Sequence, residues 1–356
     1  MKRIYKQLIA SVAMLCLPVM ASAATGDVTG DGTADIDDVN MIINQMLGKE
    51  TGLDCDANHD GRVDVDDLNL VINVLLGLVP GGVTPEDETF TVEGVEFKVI
   101  YVEGGTFTMG GESRIVELAD YAPYLNALNR NLNYSKPAHE VTLTSYKIME
   151  TEVIQGLFYA LMGDETVPDE GDYYYSSWVK TRNNAYPEQY CTWNQAVAFA
   201  NRLSAATGRT FRLPTEAQWE YAARGGTKSQ DYIFPGGDNV YEVANVHGPT
   251  TGYEQPLKEP KTLKPNELGI YDMAGNVQEW CLDQARYYTE DSQTDPEMAG
   301  GSLMASGSNS ADYRVSRGAS KDSFPYSHWF CTPIGRASNV KDYRQPGYGL
   351  RLVLVD

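Results

Sequence analysis

The sequence predicts two folds on one chain: a small all-α module in front, and behind it a larger α+β domain rich in irregular structure. Three observations carry this. A twelve-residue acidic loop followed by an amphipathic helix occurs twice in tandem near the N-terminus. A stretch punctuated by Pro and Gly follows it. Beyond that, short apolar runs, two well-capped helices and long turn-rich segments succeed one another without the strand–helix alternation of a parallel sheet. The predicted order is a signal segment at 1–23, the module at 24–78, a linker at 79–88 and the large domain at 89–356.

Residues 1–23 read as an export signal. Lys2, Arg3 and Lys6 precede an apolar stretch from Leu8 to Met20, and Ala21-Ser22-Ala23 is a small-x-small cleavage site. Leu15 precedes Cys16 where a lipid anchor needs a small residue, so the expected destination is periplasmic, cell-surface or secreted. No other apolar run reaches the length of a membrane span. The chain carries a formal net charge of −21, which excludes binding to nucleic acid through a basic surface, because phosphate must be neutralised by Lys and Arg. Cys55, Cys191, Cys281 and Cys331 remain after cleavage, an even number in an oxidising compartment. One or two disulfides are expected, and the sequence leaves the pairing open.

The module begins with Asp27-Val-Thr-Gly-Asp-Gly-Thr-Ala-Asp-Ile-Asp-Asp38, repeated 29 residues later as Asp56-Ala-Asn-His-Asp-Gly-Arg-Val-Asp-Val-Asp-Asp67. Loop positions 1, 3, 5, 9 and 12 are Asp27, Thr29, Asp31, Asp35 and Asp38 in the first copy, and Asp56, Asn58, Asp60, Asp64 and Asp67 in the second. Glycine stands at position 6 of each, where the chain turns sharply around the ion, and oxygen ligands at this spacing suit a hard cation such as calcium. Behind each loop runs one helix. Val39, Ile42, Ile43, Met46 and Leu47 form the first apolar stripe, Leu68, Val71, Ile72, Leu75 and Leu76 the second, with Gly48 and Gly77 as stops.

Two such units in tandem resemble a type I dockerin over about residues 26–78. The resemblance implies two calcium ions and a cohesin-like partner. It also implies that loop positions 10 and 11, here Ile36 with Asp37 and Val65 with Asp66, help to choose that partner.

In the large domain, Thr192-Trp-Asn-Gln195 is a capping box opening a helix with Ala196, Val197, Ala200 and Leu203 on its apolar stripe and Gly208 as its stop. Thr215-Glu-Ala-Gln218 is a second box, and its helix carries Trp219, Tyr221 and Ala222 towards Gly225. Six blocks follow in order: Phe107-Thr-Met-Gly110, Pro137-Ala-His-Glu-Val141, the run from Arg212 to Gly226, the run from Leu268 to Trp280, Arg317-Gly318 and Gly349-Leu-Arg351. Together they resemble the formylglycine-generating enzyme or sulfatase-modifying factor family over about residues 95–355.

That resemblance implies a variant of the C-type lectin fold, and calcium held by the Asp272 and Glu279 carboxylates with turn carbonyls such as those of Gly275 and Val277. A second family calcium site would use Asn245 and the Val246 carbonyl, with Thr251 where its carboxylate is expected. It also implies oxidase chemistry, in which oxygen and copper(I) on a Cys-x4-Cys thiol pair convert a sulfatase cysteine to formylglycine. Here that segment reads Ser327-His-Trp-Phe-Cys-Thr-Pro-Ile-Gly-Arg336, and the two thiol positions fall near His328 and Pro333. Cys331 is the sole thiol there and the one catalytic candidate.

The reading expected from these residues is a binding or scaffold module without oxidase activity, serving a polysaccharide-degrading assembly. The alternative is an active sulfatase-maturation oxidase or another enzyme on the same fold. Trp219 and Trp280 read as core. Tyr173 to Tyr175, Trp178, Tyr287, Tyr288, Tyr326 and Trp329 are the candidate recognition surface for a glycan or protein.

Overall fold

The computed structural model describes residues 28–29, 36–49, 55, 63, 67–68, 71–72, 86–118, 120–121, 132–163, 182–248, 256–297 and 312–355. Residues 1–83 and 84–355 form two compact units.

In the first unit, helix α1 spans Ile36–Met46, with Asp37 and Asp38 in its first turn, where carboxylates face the positive end of the helix dipole. Gly48 takes a left-handed φ of 74° beyond its end. Val39 and Ile42 are buried with Cys55 and Val71. The rest of the expected stripe is not: Ile43, Met46 and Leu47 are exposed. Ile36, Ile43 and Leu47 fall on one line along the helix, at i, i+7 and i+11.

The second unit is the predicted α+β domain, built on three curled sheets. β1 (Glu88–Val92), β2 (Val95–Val102), β5 (Tyr146–Met149), β12 (Val353–Leu354) and β6 (Phe211–Arg212) form an antiparallel sheet in that order. A second sheet runs β10 (Arg336–Val340), β9 (Tyr313–Arg317), β7 (Gln278–Gln284) and β11 (Tyr348–Gly349), and a third runs β3 (Gly105–Met109), β4 (His139–Leu143) and β8 (Gln293–Thr294). Two short pairings, β11 with β7 and β4 with β8, are parallel.

Both predicted capping boxes are formed reciprocally. Thr192 and Gln195 open the helix Trp193–Thr207, which ends on Gly208 in the left-handed region, and Thr215 and Gln218 open the helix Glu216–Ala223. Every residue of Glu216–Ala223 is buried. A helix enclosed on all sides should be apolar all round, yet this one carries Glu216 and Glu220 into the interior. They are met there by Arg317 and Arg336. Trp219 and Trp280 are core residues, as expected.

The disulfide expectation is corrected. All four described cysteines are buried thiols. Cys55 belongs to the core of the first unit, and Cys281, Cys191 and Cys331 to three different clusters of the second. Each fills an apolar site of its own, so the even count reflects packing and not pairing.

Candidate functional site

The segment where the thiol pair was sought is a 3-10 turn, Pro325–Cys331, with Pro325 at its first position. Thr332 closes it by donating from both its backbone N–H and its hydroxyl to the Trp329 carbonyl, at 3.1 and 2.7 Å. The chain then folds back so tightly that a Cβ on Gly335 would lie 2.5 Å from that same carbonyl oxygen, so only glycine fits. The turn points His328, Trp329 and Cys331 inward.

Cys331 is a core residue, packed in a cluster with Ile115, Phe234, Ala274 and Trp329. Burial pushes its thiol well above the usual value. Of the two basic residues near it in sequence, Arg336 is held by Glu216 and His328 is hydrogen-bonded to Tyr121. A nucleophilic cysteine needs a cation or a helix terminus to hold the thiolate, and the surroundings of Cys331 are those of a core thiol. Copper(I) does not fit either. Cys191 and Cys281 lie in other clusters, also pushed up by burial, and Pro333 presents its carbonyl to Arg317 at 2.7 Å.

His328 has a definite tautomer. Its Nε2 lies 3.2 Å from the Ser323 carbonyl, which only accepts, so Nε2 carries the hydrogen; bare Nδ1 then accepts from the Tyr121 hydroxyl at 2.9 Å. Burial lowers its pKa to about 4, so the ring is neutral at physiological pH. Tyr121 and Tyr241 flank it edge-on, with centroids 5.8 and 5.9 Å away. Beside them opens a cavity of about 400 Å³ lined by residues of two segments, Leu118, Asp120 and Tyr121 from one and Phe234 and Asp238 to Tyr241 from the other. Nothing in the spacing of those segments, more than 110 residues apart, pointed to it in the sequence.

Of the two carboxylates expected to hold calcium in the large domain, Glu279 is paired with a cation of the chain itself, Arg351. Both Glu279 oxygens accept from Arg351, at 2.9 to 3.1 Å, and Oε2 also accepts from the Trp219 indole at 2.7 Å. Burial works against the charge on Arg351, but Glu279 outweighs it and holds the guanidinium above its usual pKa. Glu279 is thus the counter-ion of Arg351.

Asp272, with a left-handed φ of 55°, accepts from the Lys261 N–H at 3.0 Å. Asn245 donates to the Pro256 carbonyl and to Asn276, and its own carbonyl accepts from the Asn276 N–H at 2.9 Å. Gly275, φ 77°, passes so close that a Cβ would sit 2.5 Å from that carbonyl. Val277 donates its N–H to Glu152 at 2.9 Å. The hub is Asn276, whose amide bridges Asn245, Lys258 and Glu152. Burial, followed by the nearby Asp272 and Glu279 charges, pushes the Glu152 carboxyl well up. Glu152 and Arg351 went unassigned in the sequence because their partners lie far along the chain.

In the first unit the two position-12 carboxylates, Asp38 and Asp67, are both completely buried. Asp38 Oδ1 accepts from the backbone N–H of Thr29, position 3 of the same loop, at 2.9 Å. A loop closed on a buried carboxylate fits a bound cation, since an isolated buried charge is strongly disfavoured. Ile36 and Asp37 are exposed. Asp27, Asp31, Asp35, Asp56, Asn58, Asp60, Asp64, Val65, Asp66 and Thr251 lie outside the described residues, as do the signal segment, Tyr173 to Tyr175 and Trp178.

The remaining aromatic candidates divide. Tyr288 and Trp329 are buried. Tyr287 is exposed and stacks on Tyr134, while exposed Tyr326 stacks on Phe324, which stacks in turn on buried His247. Among the described residues no helix is long and apolar enough to cross a membrane.

Residues 86–355 match the family described as the sulfatase-modifying factor enzyme 1-like domain, and residues 25–76 match the dockerin type I domain. The chain is 35% identical over 150 residues to a formylglycine-generating enzyme of Streptomyces coelicolor, a match covering 36% of this chain and 46% of that one. It is 29% identical over 146 residues to the inactive C-alpha-formylglycine-generating enzyme 2 of Bos taurus, covering 36% of this chain and 42% of that one. It thus spans less than half the length of either. Among solved structures, Treponema denticola variable protein 1 matches with a TM-score of 0.56 at 27% identity, covering 77% of this chain and 100% of that one.

Proposed function

Because the chain belongs to the sulfatase-modifying factor enzyme 1-like family and carries a dockerin type I domain ahead of it, we propose that it is an exported docking protein whose large domain binds a ligand and has no oxidase activity. The observation that carries this is the Pro325–Cys331 turn. One thiol stands there, in an apolar cluster, beside a neutral histidine and a proline carbonyl that serves Arg317. Two-coordinate copper(I) calls for a pair of soft ligands, and these residues offer none. Similarity to a relative named as inactive and to one named as a variable protein supports the same reading.

The test is to incubate the purified chain with copper(I), oxygen and a peptide carrying a Cys-x-Pro-x-Arg motif, and to follow cysteine-to-aldehyde conversion by mass spectrometry. No conversion is expected. Turnover that Cys331→Ser abolishes would restore the oxidase.

The dockerin-like unit would hold one calcium ion in each loop, through Asp27, Thr29, Asp31, Asp35 and Asp38, and through Asp56, Asn58, Asp60, Asp64 and Asp67. Residues 24–82 contain 12 acidic and two basic residues, so this unit repels itself without cations. The exposed line of Ile36, Ile43 and Leu47, with exposed Asp37, is the face offered to a cohesin-like partner; Val65 and Asp66, at the matching positions of the second loop, would help to choose it, and a polysaccharide-degrading assembly is the setting this implies. Chelation should raise amide hydrogen exchange across residues 36–49 of the intact chain by orders of magnitude, and calcium should reverse it. Equal exchange with and without chelator would show that the helix stands without metal.

A further inference from the structure

The cavity beside His328 has a one-sided chemistry. Asp120 is exposed and makes no hydrogen bond or ion pair among the described residues. Asp238, exposed and lining the cavity, accepts from the Ile233 N–H through Oδ1, at 2.9 Å. Donors are scarce. The Asn239 amide is engaged by its own helix, its oxygen accepting from the Tyr241 N–H and its nitrogen donating to Glu242. The Tyr121 hydroxyl gives its hydrogen to His328. Among the described residues no Lys or Arg lines the cavity, and the basic residue of the 114–121 segment, Arg114, is bound to Glu117 and Asp231. Phe234 and Tyr121 make the aromatic floor, and half-exposed Tyr241 the wall.

A sugar or a phosphate brings as many acceptors as donors, and its oxygens would go unmatched against such a lining. An ammonium or guanidinium head brings only donors and is drawn to aromatic faces and carboxylates together. We propose that this cavity binds an organic cation with the head-group chemistry of a Lys or Arg side chain, through Asp120, Asp238 and the faces of Tyr241 and Tyr121. The net charge of −21 favours the approach of such a ligand. The neutral state of His328 keeps a competing positive charge away from its floor. This deepens the binding-module reading and rests on it, but its test is separate: aldehyde formation would sink that reading, whereas a cation titration decides the cavity.

The experiment titrates the intact chain with Nα-acetyl-lysinamide, Nα-acetyl-argininamide and 1,5-diaminopentane, followed by calorimetry and saturation-transfer NMR. Neutral Nα-acetyl-norleucinamide and methyl glucoside serve as comparisons. The cations should bind, more weakly as salt rises, and the neutral compounds should not. Asp120→Asn with Asp238→Asn keeps the oxygen that caps Ile233 and should weaken cation binding about tenfold or more, and Tyr241→Ala about three- to tenfold, with circular dichroism unchanged. Tighter binding of the amino-acid amides than of the diamine would identify a peptide as the source, and the reverse a free amine. Binding of the neutral compounds with equal strength, cation binding indifferent to these substitutions, or no cation binding by the wild-type chain would each overturn the proposal.

Discussion

Glu216→Ala is expected to unfold the large domain or leave it at the edge of folding. Glu216 lies at the start of the fully enclosed helix and is itself completely buried. Its Oε1 accepts from Arg317 at 2.8 Å and from Arg336 at 2.6 Å, and its Oε2 from Arg336 at 2.7 Å. Burial alone would raise its pKa, but Arg317 and Arg336 hold it below the usual carboxylate range, so the group is ionised in the fold. Removing it leaves two guanidinium groups in the interior without their shared ion-pair partner; Glu220 already binds Arg317 and Arg224, and buried Asp283 accepts from the backbone N–H of residue 216. Breaking a buried ion pair from one side costs about 3–5 kcal/mol, against a total stability of roughly 5–15 kcal/mol for a domain. The comparison is Lys264→Ala, whose partner Glu242 sits on the surface. That change should cost about 0–1 kcal/mol. Urea unfolding followed by tryptophan fluorescence measures both, and a Glu216→Ala midpoint equal to that of Lys264→Ala would show that the two arginines find other partners.

The same cluster shows which parts of this molecule were legible. The capping boxes at Thr192 and Thr215 are contained within four residues each, so their chemistry is complete in the sequence, and both helices form where they predict. The tandem acidic loops are equally local. The ion pairs are not: Glu216 meets Arg317 and Arg336 at separations of 101 and 120 residues, and Glu279 meets Arg351 at 72. Read alone, Glu279 is a carboxylate near another carboxylate and suggests a metal, because the arginine that neutralises it stands on a distant segment. Helical periodicity has a similar limit. It groups Ile43 and Leu47 with Val39 and Ile42, but it cannot say that the second pair is buried and the first exposed. Cysteine parity fails for a related reason, since it counts thiols without knowing which core each one fills. The cavity depends on two separate segments folding together, so no local pattern announced it.

The stability of the large domain should fall as pH drops from about 6.5 to about 4, and His328 should account for about 3 kcal/mol of that loss. The ring is enclosed by Tyr121 and Tyr241, with His247 close by, and burial is the main cause of its depressed pKa. The hydrogen bonds to the Ser323 and His247 backbone act the other way without restoring it. A depressed folded-state pKa means that the unfolded chain takes up the proton first, near pH 6.5, while the folded chain resists until about pH 4. The neutral ring therefore stabilises the fold fully above 6.5, and the contribution disappears as pH falls through the folded value. Protonation would also put a hydrogen on Nδ1, where the Tyr121 hydroxyl now donates. His328→Gln offers an amide that can donate to the Ser323 carbonyl and accept from Tyr121, but cannot titrate. Unfolding free energies measured in urea at intervals between pH 7 and 4 should fall more steeply for the wild type than for this variant, because carboxylate titration is common to both and cancels in the difference. Parallel curves would mean that the folded chain takes up the His328 proton as readily as the unfolded one.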